Sequence, residues 1–169
     1  MNPSLPQPAD AAFRAILATY GLITRLMHDH FAAFGITGAK WGVLRTLHRA
    51  EMEGHEALRL IDLGERLLVR PPSVTMLVSR LRREGLVATH ASSHDRRAKV
   101  IALTPAGRLL VDRVLKVHPQ RIARVMNTLN TDEQAALQRL LSRLNDHLRG
   151  LIALEPDAGV VHPGRRRAS

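Results

Sequence analysis

Pro71-Pro72-Ser73-Val74-Thr75-Met76-Leu77-Val78-Ser79-Arg80-Leu81-Arg82-Arg83-Glu84-Gly85-Leu86-Val87 holds a helix start, an amphipathic helix, a stop and a strand start. The paired prolines end whatever precedes them and open a new helix, because proline fits a first helical turn and not an interior. From Pro72 to about Glu84 the apolar residues Val74, Leu77, Val78 and Leu81 keep three- and four-residue spacing. Ser73, Thr75, Met76, Ser79, Arg80 and Arg83 are left on the opposite face. Gly85 supplies the left-handed residue that closes a helix. The period then shortens: Leu86–His90 and Lys99–Leu103 alternate as strands about the polar tip Ser92-Ser93-His94-Asp95-Arg96-Arg97, so a hairpin is expected. Upstream, Leu58–Leu68 predicts a short helix with Leu60, Ile61, Leu63 and Leu67 turned inward.

Long helices flank this block. Phe13, Ile16, Leu17, Tyr20, Ile23, Met27, Phe31 and Phe34 form one face of a first helix that Gly35 ends. Thr37 is placed to cap a second, carrying Trp41, Val43, Leu44 and Leu47. Glu51–Ala57 has no apolar pattern and reads as a loop. Thr104-Pro105 opens a helix by the cap-then-proline rule, with Leu109, Leu110, Val114 and Leu115 inward and a break expected at Pro119. Thr131-Asp132-Glu133-Gln134 reads as a capping box for a last helix. Its apolar face is Leu137, Leu140, Leu141, Leu144, Leu148, Leu151 and Ile152.

The 169 residues suffice for one core. The fold class expected is mainly α with a small β-hairpin wing. A flexible arm at 1–9 precedes an N-terminal dimerisation helix at 10–36. A winged helix-turn-helix lobe follows at 37–104, then C-terminal dimerisation helices at 105–154 and a basic disordered tail at 155–169 containing Arg165-Arg166-Arg167.

Charge narrows the function. The net charge of +10 makes a polyanion the natural partner. Aromatics are only 3% of the chain, which disfavours single-strand binding by base stacking. With no cysteine, disulfides, thiolate metal sites and thiol sensing are excluded. Charges interrupt every apolar stretch short of the ~18 residues a membrane span needs, and no signal peptide is visible, so a cytoplasmic location is expected. The stretch from Arg66 to Lys99 holds eight basic residues (Arg66, Arg70, Arg80, Arg82, Arg83, Arg96, Arg97, Lys99), opposed by Glu84 and Asp95 alone. Two short helices, a turn and a basic hairpin in that order make a winged helix-turn-helix. The second helix suits the major groove, and the hairpin tip suits the minor groove or backbone.

Here the sequence resembles the MarR (multiple antibiotic resistance regulator) family. The resemblance rests on Ile61-Asp62-Leu63-Gly64-Glu65-Arg66-Leu67, Pro72-Ser73-Val74-Thr75, Leu77-Val78-Ser79-Arg80-Leu81 and Glu84-Gly85-Leu86-Val87. Asp95-Arg96-Arg97-Ala98-Lys99 and Leu103-Thr104-Pro105-Ala106-Gly107 complete it. It implies an autoregulatory repressor that reads a pseudo-palindrome in double-stranded DNA as a homodimer and is released by a small, often aromatic, effector. On that pattern Ser73, Thr75, Met76, Ser79 and Arg80, with Arg83 beside them, face the major groove. Asp95 orients Arg96 or Arg97 in a wing that also carries Lys99. The chain departs from the family's habit at Leu68, where a turn glycine is common, and at Thr89, where an arginine is common. Ser79 stands for a frequent Asp, and Met76 for a frequent basic residue.

Other readings compete. Tyr20, Trp41, Arg45 and His48 are candidates for an effector pocket, although Trp41 is as readily plain core. His28 and His30 lie two apart on a helix and so face different ways, which argues against a metal site. His90 and His94 near Ser93 lack the buried setting of a catalytic triad. No enzyme, cofactor or metal is expected. A low-specificity architectural DNA-binding protein and a protein-interaction module using the winged lobe are the rival functions.

Overall fold

A computed structural model describes residues 7–69, 71–91 and 99–154. The elements run α1 (Gln7–Ala32), α2 (Gly38–Met52), β1 (Leu58–Arg59), α3 (Leu60–Leu67) and α4 (Pro71–Arg83). They continue with β2 (Val87–Ala91), β3 (Lys99–Leu103), α5 (Pro105–Leu115), α6 (His118–Met126) and α7 (Thr131–Leu154). Two compact units divide the chain, one running to Arg121 and one from Ile122. The mainly helical class with a small β wing holds.

The caps expected from the sequence form. Thr37 is extended at the head of α2 and its hydroxyl accepts from Lys40 N at 3.3 Å. Gly35 ends the turn after α1 with φ of +71°. Thr104 caps α5, with Pro105 at its first turn.

Five local expectations need correction, two of them the inward turn of Ile61 and Leu109, which are both exposed. Leu58–Leu68 is not one helix: Leu58 and Arg59 pair with Ile101 and Val100, making β1 the third strand of an antiparallel sheet ordered β1-β3-β2. That pairing joins segments far apart in the chain, and a two-residue strand has no period to read. The capping box of α7 lies one residue earlier than expected. Asn130 Oδ1 accepts from Glu133 N at 3.0 Å, and Glu133 Oε2 accepts from Asn130 N at 2.8 Å. At the start, α1 already includes residues 7–9 of the expected arm.

The core of the first unit is aliphatic. Val43, Leu44, Ala50, Leu63, Val74, Leu81, Val111 and Val114 are wholly buried, and Leu47, Val87, Ile101 and Leu103 nearly so. Residues from α2, α3, α4, the sheet and α5 therefore share one cluster. No polar or charged residue among those described is buried. A fully buried aliphatic side chain contributes roughly 1.5–3 kcal/mol, so this cluster fixes the orientation of α4.

Candidate nucleic-acid interface

The turn between α3 and α4 shows how the chain manages without the expected glycine. Leu68 takes the left-handed conformation itself, φ 55° and ψ 37°. Its backbone N–H donates to Glu65 O and Gly64 O, and Val69 N donates to Gly64 O at 3.1 Å. An L-residue held there costs ~1–2 kcal/mol. Leu68 is 61% exposed, so its side chain recovers little of that by packing. Gly64 sits where a side chain would press on Val69 O and Val74, at 3.3 and 3.5 Å.

α4 is anchored at its far end by a small knot of backbone. Gly85, φ +71°, turns the chain out of the helix, and Leu86 N donates to Leu81 O at 2.9 Å. The Thr104 hydroxyl donates to Gly85 O at 2.7 Å and accepts from Gly107 N at 3.0 Å. Thr104 N donates to Leu86 O at 3.2 Å. One threonine thus ties the end of α4, the root of the wing and the head of α5. Gly107 is required here, because an added Cβ would stand 2.1 Å from Leu86 O. Lys40 of α2 adds an ion pair to Glu84.

With Val74, Val78 and Leu81 buried and Leu77 half-buried, α4 turns a fixed face outward. Ser73, Thr75, Met76, Arg80 and Arg83 are exposed there, as are Pro72 and Arg82, and Ser79 is half-buried. Arg80 Nη2 lies 3.6 Å from Met76 Sδ. The residues expected to face a major groove thus lie on the outward side of α4, with Ser79 the least exposed of them. Lys99 is exposed at the start of β3. Asp95, Arg96 and Arg97, like Arg70 and Arg165–Arg167, lie outside the described residues.

The expected effector residues divide. Trp41 is buried, its ring 5.8 Å from Phe31 and 5.2 Å from His118. Arg45 and His48 share α2, with Arg45 Nη1 3.0 Å from His48 Nδ1. Tyr20 instead stands 71% exposed on α1, beside a shallow depression lined by Gly21, Thr24, Arg25, His28 and Asp29 of the same helix.

Beside Trp41 lies a pair that no local sequence pattern joins. His30 Nε2 and His118 Nδ1 are 3.1 Å apart, with rings stacked at 5.2 Å, although 88 residues separate them. Burial lowers the pKa of both from the ordinary 6.5, and positive charge lowers it further: Arg121 acts on His30, and His30 and Arg45 act on His118. Among the described residues no group of three or more His, Asp or Glu could hold a metal, and no helix is long and apolar enough to cross a membrane.

A helix-turn-helix whose second helix is locked from within and followed by a β wing defines the winged helix-turn-helix class. The MarR family model matches residues 34–98. An uncharacterised HTH-type transcriptional regulator of Bacillus subtilis (strain 168), YkoM, is 32% identical over 94 residues, 56% of this chain and 61% of YkoM. The alignment thus spans about three fifths of that relative's length. AbsC, a MarR family transcriptional regulator from Streptomyces coelicolor, has a similar fold, with TM-score 0.79 and 23% identity over 88% of this chain and 99% of AbsC. So does a cysteine-to-serine mutant of MarR from E. coli in complex with operator DNA, with TM-score 0.74 and 22% identity over 83% of this chain and 98% of that one. Over residues 34–98 the chain is similar to the MarR family, and its fold is that of solved MarR-family regulators. The relatives are transcription regulators, in accord with the expectation that this chain is not an enzyme.

Proposed function

We propose that the chain is a transcription regulator, a repressor of its own gene, that binds a pseudo-palindrome in double-stranded DNA as a homodimer. The outward face of α4 carries this reading. Hydroxyls and guanidinium groups can reach base edges in a major groove, and the buried inner face prevents the helix from rolling. The wing residues Asp95, Arg96, Arg97 and Lys99 would add minor-groove or phosphate contacts. The MarR mutant solved with operator DNA shares the fold. The homodimer is favoured by the exposed apolar faces of α1 and α7, because monomers rarely expose apolar patches beyond a few hundred Å². Two-fold symmetry then predicts half-sites about 34–36 Å apart. Release by a small aromatic acid belongs to the same proposal, with Arg45 and His48 as the polar groups it would meet.

Fluorescence anisotropy tests it with the fragment upstream of the chain's own gene, a scrambled duplex and two salt concentrations. Selective binding that weakens steeply with salt, and weakens again in Arg80→Ala and Arg97→Ala, supports the regulator. Equal affinity for both duplexes points to an architectural protein. Absence of binding at either salt overturns the proposal in favour of a protein partner. Added benzoate should lower the anisotropy if an aromatic acid releases the complex.

A further inference from the structure

Among the described residues of α4, Met76 is the one large apolar side chain on the outward face, and it is 50% exposed. It stands two residues from Val74 and two from Val78, both buried. At about 100° per residue this places it almost diametrically opposite the core. It therefore contributes little to folding, while its neighbours Ser73, Thr75, Ser79, Arg80 and Arg83 are all polar. Its sulfur lies 3.6 Å from Arg80 Nη2, close to the ~3.4 Å rise between successive bases of one strand. An apolar head and a forked cation are thus held side by side at about one base step.

Resting on the DNA-binding reading above, we infer that Met76 and Arg80 read one dinucleotide step together. Met76 packs on the C5-methyl group of a thymine, and Arg80 donates to O6 and N7 of the neighbouring guanine. Thymine alone among the four bases presents a methyl in the major groove, and guanine alone presents two acceptors there. Met76 therefore determines specificity through an apolar contact, where serine or a basic residue would mainly hydrogen-bond. Removing one buried methyl corresponds to ~0.8 kcal/mol, about a fourfold change in affinity.

The test begins by enriching the best-bound duplex from a random pool with the full chain. Each dT is then replaced singly by dU, which removes only the methyl group, and each neighbouring dG by its 7-deaza analogue. Wild type, Met76→Ala, Met76→Leu and Arg80→Ala are compared by anisotropy, with Trp41 emission reporting that each is folded. At one dT per half-site, dU should weaken wild type about fourfold, weaken Met76→Leu measurably and leave Met76→Ala unchanged. The 7-deaza change at the adjacent step should weaken wild type and not Arg80→Ala. If dU acts equally on wild type and Met76→Ala at every position, the inference is overturned while the regulator reading stands. If no duplex is enriched, both fall.

Discussion

Leu44, Leu63, Leu81 and Val111, from four different helices, are wholly buried in the lobe. Leu140, Leu144, Leu148 and Leu151 of α7 and Phe13, Leu17 and Tyr20 of α1 are exposed. Both regions show apolar residues at helical spacing, so periodicity alone does not separate them. The lobe's elements are short and change direction at Gly35, Leu68, Gly85 and Thr104, which lets successive apolar faces close on each other. α1 and α7 run for 26 and 24 residues without such a turn. A helical stripe announces a face to be covered and is silent on what covers it.

The largest expected effect breaks the long helix while sparing the lobe. Leu141→Glu with Leu144→Glu would place two carboxylates in the proposed dimer seam, where burial without partners costs several kcal/mol. The mass in light scattering should fall from twice 18.8 kDa to 18.8 kDa, with the emission of the single tryptophan, Trp41, unchanged. Simultaneous loss of both signals would mean that the lobe depends on the seam and would erase the contrast.

Within the lobe, Gly107→Ala should destabilise by about 3 kcal/mol in urea unfolding. Its Cβ would meet a backbone oxygen that is itself held by Thr104. Wild-type stability would show that the knot yields and that α4 is fixed by its apolar face alone.

Acid should loosen the lobe through the histidine pair. The folded-state pKa values of His30 and His118 lie below 6.5, so the unfolded chain takes up protons first. The pair's neutral packing is fully present above pH 6.5 and is lost as pH falls from there through the lowered folded values. The melting temperature should therefore drop between about pH 8 and about pH 5.5, and drop less in His30→Gln/His118→Gln. Equal drops would remove the pair from the account.

The smallest effect concerns the turn. Leu68→Gly should raise stability by up to ~1 kcal/mol, because glycine takes the left-handed conformation without strain and little packing is lost. A loss of stability in thermal melts would show that Leu68 has a packing role despite its exposure.

Much of the lobe was legible because its signals are local. Thr37 and Thr104 act on N–H groups three residues ahead, Gly35 and Gly85 set their own φ, and Val74, Val78 and Leu81 share a face by spacing alone. The outward face of α4 could be listed for the same reason. What escaped depends on residues far apart in the chain. β1 exists only because β3 accepts it as a neighbour. The capping box of α7 shifted by one residue because Asn130 and Thr131 are both competent caps, and geometry chose between them.

The amino-acid sequence by itself determined the order of helices, turn and hairpin, the charge on the winged lobe and the apolar stripes. These follow from backbone propensity and periodicity over a few residues. Tertiary structure alone decided that Leu68 would hold a conformation usual for glycine, that Gly107 leaves room for Leu86 O, and that His30 would meet His118. The last two depend on how close two distant segments are pressed by a shared core, and no local pattern encodes that distance.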